Sequence, residues 1–237
     1  MTGGRAASFA AAVALLAPAA TVAQAYQCRV PRGPVDVPAV ERGGPMRQLP
    51  VTGYTLALSW SPEYCRGRER RSADRRQCSG EGGRFGFVVH GLWPEGRGGW
   101  PQWCPTSRRP TSHDLAANLC ITPSAALLAR EWAEHGACMA RRPETYFKVT
   151  RILWNSLRWP DFDRLSRREG LTAGDMRKAF TEANRGWKAE QVGVRLNRRG
   201  WLEELWLCYG KDFKPTACDS RRFGSKDVVP AKIWRGL

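Results

Sequence analysis

Residues 85–94 read FGFVVHGLWP, and this run predicts a central strand that carries one of the chain's three histidines. Bulky and smaller residues alternate in its first half, which is the period of a β-strand with one buried face. Phe87 and Val89 would lie on the buried face, and His90 would lie on the other. Gly91 allows the backbone to turn, because glycine has no Cβ to restrict it. We therefore expect His90 at the end of this strand.

Residues 131–138 read EWAEHGAC and place a second histidine on a predicted helix. Thr122, which proline follows, is the expected N-cap, and the helix would end near Cys138. Glu131 and His135 are four positions apart, so they share one helix face and can touch. A carboxylate beside an imidazole favours the protonated ring and helps to orient it. The same spacing is also typical of an ordinary surface ion pair.

Other strands and helices are indicated by the same kinds of pattern. Alternation predicts a strand at 54–60, and the apolar periodicity predicts helices at 144–159 and 172–185. Residues 192–208 have the pattern of a hairpin with a glycine-containing turn. This mixture predicts an α+β fold, in which a central antiparallel β-sheet is packed with several α-helices.

The N-terminal composition predicts an exported protein. Residues 1–25 carry one arginine, then an apolar run, then the small-residue pattern Ala-Gln-Ala, which together indicate a cleaved signal peptide. That run is too short to span a bilayer, so we expect no membrane insertion and a periplasmic or extracellular location. Residues 26–50 are rich in Pro, Gly and Arg and predict an irregular leader. Residues 51–237 are then expected to form a single domain.

The cysteine content agrees with export. All eight cysteines follow the predicted signal peptide, and an even count in an exported chain predicts four disulfides. Metal binding is the competing interpretation, but the chain has no C-x-x-C pair and its cysteines are scattered. Eight cysteines allow 105 pairings, so the count alone does not choose among them.

The charge of the chain predicts a polyanionic partner. It has 38 Lys and Arg residues and 22 Asp and Glu residues, which gives a formal net charge of +16. Nucleic acid is the usual partner of such an excess, and anionic envelope or membrane surfaces are the alternative. Eleven tryptophans add rings on which unpaired bases can stack.

Taken together, the two histidine segments resemble a known pair. His-Gly-Leu-Trp-Pro at 90–94, followed by Glu-Trp-x-x-His-Gly-x-Cys at 131–138, resembles the two active-site segments of the ribonuclease T2 family. Ser-Trp-Ser-Pro at 59–62 resembles the family's first strand and the turn after it. Cys208 and Cys218 resemble its C-terminal cysteines, so the resemblance covers roughly residues 52–220.

The resemblance implies a metal-independent endoribonuclease without a cofactor. In that family the 2′-hydroxyl of RNA attacks the adjacent phosphorus and leaves a 2′,3′-cyclic phosphate. By position, His135 would be the base and His90 the acid, while Glu131 would orient its neighbour and assist the transition state. The expected substrate is single-stranded RNA, and DNA should survive because it lacks the 2′-hydroxyl. We expect a monomer.

The resemblance also suggests substrate contacts, with one departure from the family pattern. Trp93 would stack on a base, although most tryptophans are largely buried core residues. Glu95 follows the motif where relatives carry an acid that contacts adenine, and Arg130 stands where some carry a phosphate-contacting histidine. The family's usual lysine before the second histidine is replaced by Glu134. A pseudoenzyme that binds RNA without cleaving it is therefore the alternative, unless Arg130 supplies the missing charge.

Disulfide pairs are implied by the same resemblance. It suggests three bonds and leaves one further pair: Cys65–Cys78, Cys104–Cys138 and Cys208–Cys218, with Cys28–Cys120 remaining. The Cys104–Cys138 bond would tie the loop after His90 to the end of the helix that carries His135.

Overall fold

The computed structural model describes residues 25–26 and 28–236. Its strands, in chain order, are β1 Ala25–Tyr26, β2 Gly53–Trp60, β3 Arg84–Phe85, β4 Phe87–Glu95, β5 Val192–Leu196 and β6 Leu202–Gly210. Its α-helices are α1 Ser61–Cys65, α2 Arg75–Cys78, α3 Ser112–Ala116, α4 Ala125–Glu134, α5 Pro143–Asn155, α6 Phe162–Leu165, α7 Ala173–Ala183 and α8 Ser220–Phe223. Short 3₁₀ turns cover Ser72–Asp74, Gly136–Cys138 and Ala189–Gln191.

Four strands form the central sheet in the order β4-β2-β6-β5, and every neighbouring pair is antiparallel. The two middle strands, β2 and β6, are rich in apolar residues. Leu56 and Leu58 of β2 and Phe87 of the edge strand β4 join side chains of α5 and α7 in the hydrophobic core. A separate two-stranded sheet pairs β1 with β3. The predicted α+β fold with an antiparallel sheet packed with helices is confirmed.

A β-bulge at His90 interrupts the pairing of β4 with β2. Leu58 pairs with Val89, but the preceding Ala57 pairs with Gly91, so His90 is the extra residue. The prediction that His90 ends its strand is wrong, because β4 continues to Glu95. The bulge takes up one unpaired residue, so β4 stays paired with β2 on both sides of His90 in a register shifted by one residue.

The backbone of Val89, next to the bulge, forms hydrogen bonds with residues outside the sheet. The Val89 amide donates to the carbonyl of Ile121 at 2.7 Å, and the Thr122 hydroxyl donates to the Val89 carbonyl at 2.8 Å. The predicted N-cap role of Thr122 is therefore wrong. Ser124 caps α4 instead, because its hydroxyl accepts from the amide of Leu127.

Helix α4 ends one residue before the second histidine. His135 is its C-cap, and the 3₁₀ turn Gly136–Cys138 follows at once. The sequence predicted one helix that continues to Cys138. The structure instead has an α-helix that ends at Glu134 and a separate 3₁₀ turn after it. Gly136 fits this turn because an added Cβ would lie 2.7 Å from a ring carbon of Trp132.

Four disulfides hold the loops to this frame: Cys28–Cys120, Cys65–Cys78, Cys104–Cys138 and Cys208–Cys218. Three of them are the pairs that the resemblance implies, and Cys28–Cys120 is the pair that remained. The Cys104–Cys138 bond joins the loop after β4 to the turn after α4, so it links the segments that follow the two histidines.

The predicted leader is irregular over most of its described length. It docks on the loop after β4 through paired backbone hydrogen bonds between Arg47 and Gln102, at 2.9 and 3.0 Å. The predicted signal peptide lies outside the described residues except for Ala25, which pairs in β1. None of the described helices combines the length and the apolar character that crossing a membrane requires.

Candidate active site

The site lies where β4 meets the end of α4, and Trp93 is at its centre. The centroid of the Trp93 ring lies 5.1 Å from that of His90 and 5.7 Å from that of His135. His90 and Trp93 are three positions apart, so a regular strand would direct them to opposite faces. The bulge at His90 removes that alternation and brings both side chains to one face.

Glu131 lies beneath this cluster and contacts the first histidine. Its Oε2 accepts a 2.8 Å hydrogen bond from Trp93 Nε1, and its Oε1 lies 3.8 Å from His90 Nε2. Its side chain is only 6% exposed, and burial raises the pKa of this carboxyl to about 7, against the opposing effect of His90. Gly91 permits the approach, because an added Cβ would overlap Glu131 Oε2 and lie 2.6 Å from Trp93 Nε1.

The predicted contact between Glu131 and His135 is not made. Within residues 28–236, the ion pairs of Glu131 include His90 but not His135. The backbone bond of α4 persists, since the His135 amide donates to the Glu131 carbonyl at 3.0 Å. However, His135 is the C-cap of α4, with φ −119° and a 3₁₀ turn directly after it, so the regular alignment of side chains four residues apart does not apply.

The two histidines have opposite electrostatic surroundings. Burial lowers the pKa of His135 to about 3, and the charge of His90 lowers it further. Burial alone would also lower the pKa of His90, but a hydrogen bond to Glu204 and the charge of Glu131 raise it to about 9. Near neutral pH, His135 is therefore a neutral ring and His90 a charged one.

Glu204, on β6, is the site residue that the sequence patterns did not identify. Its Oε1 lies 2.7 Å from Nδ1 of His90, although 114 positions separate the two residues. Burial raises the pKa of Glu204, but its bonds to His90 and Trp206 outweigh burial and lower the pKa to about 2. A carboxylate in a central strand between buried leucines was the one available sequence signal, since such a group needs a partner.

Glu95 and Arg130 lie beside this cluster and already have partners. Glu95 Oε1 accepts from the Thr55 hydroxyl at 2.6 Å, and its Oε2 accepts from Arg221 Nη2 at 2.8 Å. Arg130 Nη2 lies 3.0 Å from Glu134 Oε2, with about half of the Arg130 side chain exposed. Glu134, which replaces the family's usual lysine, therefore forms an ion pair with Arg130, the side chain that was expected to supply the missing positive charge.

Glu134 also reaches the second histidine. Its Oε1 lies 3.9 Å from Nε2 of His135, while Nδ1 of His135 is buried and has no hydrogen-bond partner among the described residues. Nε2 is therefore the nitrogen of His135 that faces polar surroundings. Over residues 25–26 and 28–236, no group of three or more His, Cys, Asp and Glu side chains is arranged to hold a metal ion.

Comparisons with known proteins identify the family of this chain. The sequence profile of the ribonuclease T2 family matches residues 52–218. A "Ribonuclease" of Aeromonas hydrophila is 44% identical over 166 residues, which cover 67% of this chain and 72% of that protein. A "Probable ribonuclease" of Haemophilus influenzae is 32% identical over 192 residues, which are 75% of this chain and 65% of that protein, just under two thirds of its length.

A solved structure shares the fold. The RNase-related protein from Calystegia sepium superposes with a TM-score of 0.60 at 22% identity, over 77% of this chain and 97% of that one. The family match covers most of the chain and spans both histidine segments. This chain therefore belongs to the ribonuclease T2 family of RNA-cleaving enzymes.

Proposed function

We propose that this chain is an exported, metal-independent endoribonuclease that cleaves single-stranded RNA through a 2′,3′-cyclic phosphate. The observation that carries the proposal is that both imidazoles lie against Trp93, with His90 beside the carboxylates of Glu204 and Glu131 and His135 buried. These surroundings shift the pKa of His90 up and that of His135 down. One neutral and one charged imidazole are what a reaction needs when one oxygen loses a proton while another gains one.

The reaction balances with these two side chains alone. Neutral His135 accepts the proton of the RNA 2′-hydroxyl, and the 2′-oxygen forms a bond to the adjacent phosphorus. The bond from phosphorus to the 5′-oxygen breaks, and charged His90 gives that oxygen its proton. Glu131, whose carboxylate is held by Trp93, lies 3.8 Å from Nε2 of His90 and stabilises the charge of that ring while the phosphorane-like transition state forms.

Substrate contacts are proposed at the margins of the site. Trp93 is half-buried and offers a stacking surface for an unpaired base. Contact of Glu95 with adenine requires the base to replace Arg221 on its carboxylate. Likewise, Arg130 can contact a phosphate only if its ion pair with Glu134 breaks. DNA is excluded because it lacks the 2′-hydroxyl nucleophile.

The test is incubation of RNA with the oxidised protein in EDTA, followed by analysis of the product ends. Cyclic 2′,3′-phosphates, with an intact DNA control, are the expected result. Folded protein that binds RNA but leaves it whole from about pH 4 to about pH 8 would instead support the non-cleaving alternative. That alternative is favoured by Glu134, which replaces a cation with an anion beside His135.

A broad, bell-shaped pH profile is expected for kcat/KM. The base limb rises as His135 loses its proton, and the pKa of that ring is lowered to about 3. The acid limb falls as His90 loses its proton, and the pKa of that ring is raised to about 9. Measured rates on a short RNA should therefore stay high through neutral pH. A decline on the alkaline side that begins below about pH 7 would contradict this charge assignment.

Gly91→Ala is expected to reduce kcat about 10²-fold, because the new Cβ displaces the Glu131 carboxylate from beneath His90. Gly98→Ala is the matched control for an added methyl group, since its Cβ meets no atom within 4 Å, although its backbone is strained at φ +76°. Steady-state kinetics with thermal melting separates the two effects. Equal rates for Gly91→Ala and the unmodified protein would show that the buried carboxylate position is not needed.

A further inference from the structure

We propose that Glu204 is a positioning residue that binds Nδ1 of His90 and thereby presents the charged Nε2 of that ring to the leaving oxygen. The inference rests on the proposed function, because it assigns the hydrogen-bond partner of the acid in that reaction. It also explains why a strand distant in sequence carries an ionised, mostly buried carboxylate next to a catalytic ring.

Three donors converge on the Glu204 carboxylate and fix its orientation. Oε1 lies 2.7 Å from His90 Nδ1 and accepts from the Ser59 hydroxyl at 2.7 Å, while Oε2 accepts from Trp206 Nε1 at 2.6 Å. Ser59 faces Glu204 directly in the register of β2 with β6. Because both oxygens are occupied by groups held in the sheet, the carboxylate cannot rotate away without losing a bond.

The two nitrogens of His90 then have different surroundings. Nδ1 is hydrogen-bonded to Glu204 from β6, whereas Nε2 faces Glu131 from α4 at 3.8 Å, beyond hydrogen-bond distance. Glu134, also on α4, adds a more distant negative charge, and His135 is neutral. Only Nε2 is therefore left to transfer a proton, and a partner on Nδ1 determines which nitrogen does so.

The charge of Glu204 also acts on the same ring. Burial would lower the pKa of His90, and the hydrogen bond to Glu204 is the largest effect that opposes it. An opposite charge at this range typically raises the pKa of an imidazole by about 1 to 3 units. Removing that charge should therefore make His90 lose its proton within the working pH range.

The decisive variant is Glu204→Gln, which keeps the size of the side chain and removes its charge. A fall of the His90 pKa from about 9 to roughly 7 leaves the ring charged at pH 6 but only about one tenth charged at pH 8. We expect kcat/KM to fall about tenfold at pH 8 and little at pH 6. A merely structural role would lower both rates by the same factor, and that result would overturn the proposal.

Glu203→Gln is the matched control, because it removes the same charge from the neighbouring, exposed position of β6. It should leave both rates close to those of the unmodified protein. Titration of the His90 ring by NMR needs no RNA, so it tests Glu204 independently of catalysis. A lowered ring pKa in Glu204→Gln, combined with an unmodified protein that cleaves no RNA, would reject the proposed function and retain only the effect of Glu204 on the charge of His90.

The unmodified protein provides a further test that does not depend on the variant's folding. Its ¹⁵N shifts should show Nε2 losing its proton near pH 9, while Nδ1 keeps its own proton above that pH. An ordinary titration near pH 6.5 would contradict the proposal.

Discussion

Replacing His135 with alanine should lower the rate of RNA cleavage about 10²- to 10⁴-fold, which is the typical contribution of a general base. The ring is buried and uncharged, so the variant loses its proton acceptor while gaining a small cavity. His90→Ala should lose a similar factor, because the leaving 5′-oxygen would then depart without a proton. Single-turnover cleavage of a short RNA near pH 6 measures both effects.

His113→Ala is the control for these variants, because it replaces the one remaining histidine. His113 is exposed on α3, a short helix separate from the site. Its replacement should change neither rate nor melting temperature. Near-normal cleavage by folded His135→Ala or His90→Ala would refute the proposed acid and base.

The second large effect is expected from Glu134→Lys. The Glu134 carboxylate lies 3.0 Å from Arg130 and 3.9 Å from Nε2 of His135, so it places an anion beside the proposed base, where we expect negative charge to develop on the phosphorane oxygens. A lysine would supply a cation there and release Arg130. By analogy with an oxyanion donor, the gain in kcat is about 10²- to 10³-fold.

Glu134→Gln separates the two parts of that gain. It releases Arg130 and removes the negative charge without adding a cation, so it should raise kcat by a smaller factor. Rates are best compared near pH 6, because the charge of Glu134 helps to raise the pKa of His90 and its loss moves the alkaline limb to lower pH. Unchanged or lower turnover in Glu134→Lys would mean that another cation, such as Arg47, already acts at the site.

Short-range patterns in the sequence predicted much of this protein. Alternation over 54–60 and the apolar periodicity of 144–159 and 172–185 correctly predicted β2, α5 and α7, with ends displaced by a few residues. Such patterns succeed because each element must bury one face, and the period of its apolar residues shows which face that is. The two histidine segments likewise identified the family from contiguous residues alone.

The errors occurred where local geometry departs from regular elements. A bulge is not visible as a break in apolar alternation, so His90 seemed to end a strand that in fact continues to Glu95. The i to i+4 rule assumes a helix through His135, but that residue is already the C-cap. Glu131 therefore contacts His90 rather than the histidine that follows it along the chain.

By itself, the sequence determined the fold class, the family, and which side chains carry the proposed chemistry. Only the tertiary structure decided which of these side chains touch and what charge each holds. Glu204 meets His90 across 114 positions, because β6 and β4 lie on either side of β2 and the bulge turns the ring toward their shared face. Burial and neighbouring charges set the pKa of each imidazole, and neither quantity exists until the strands have paired.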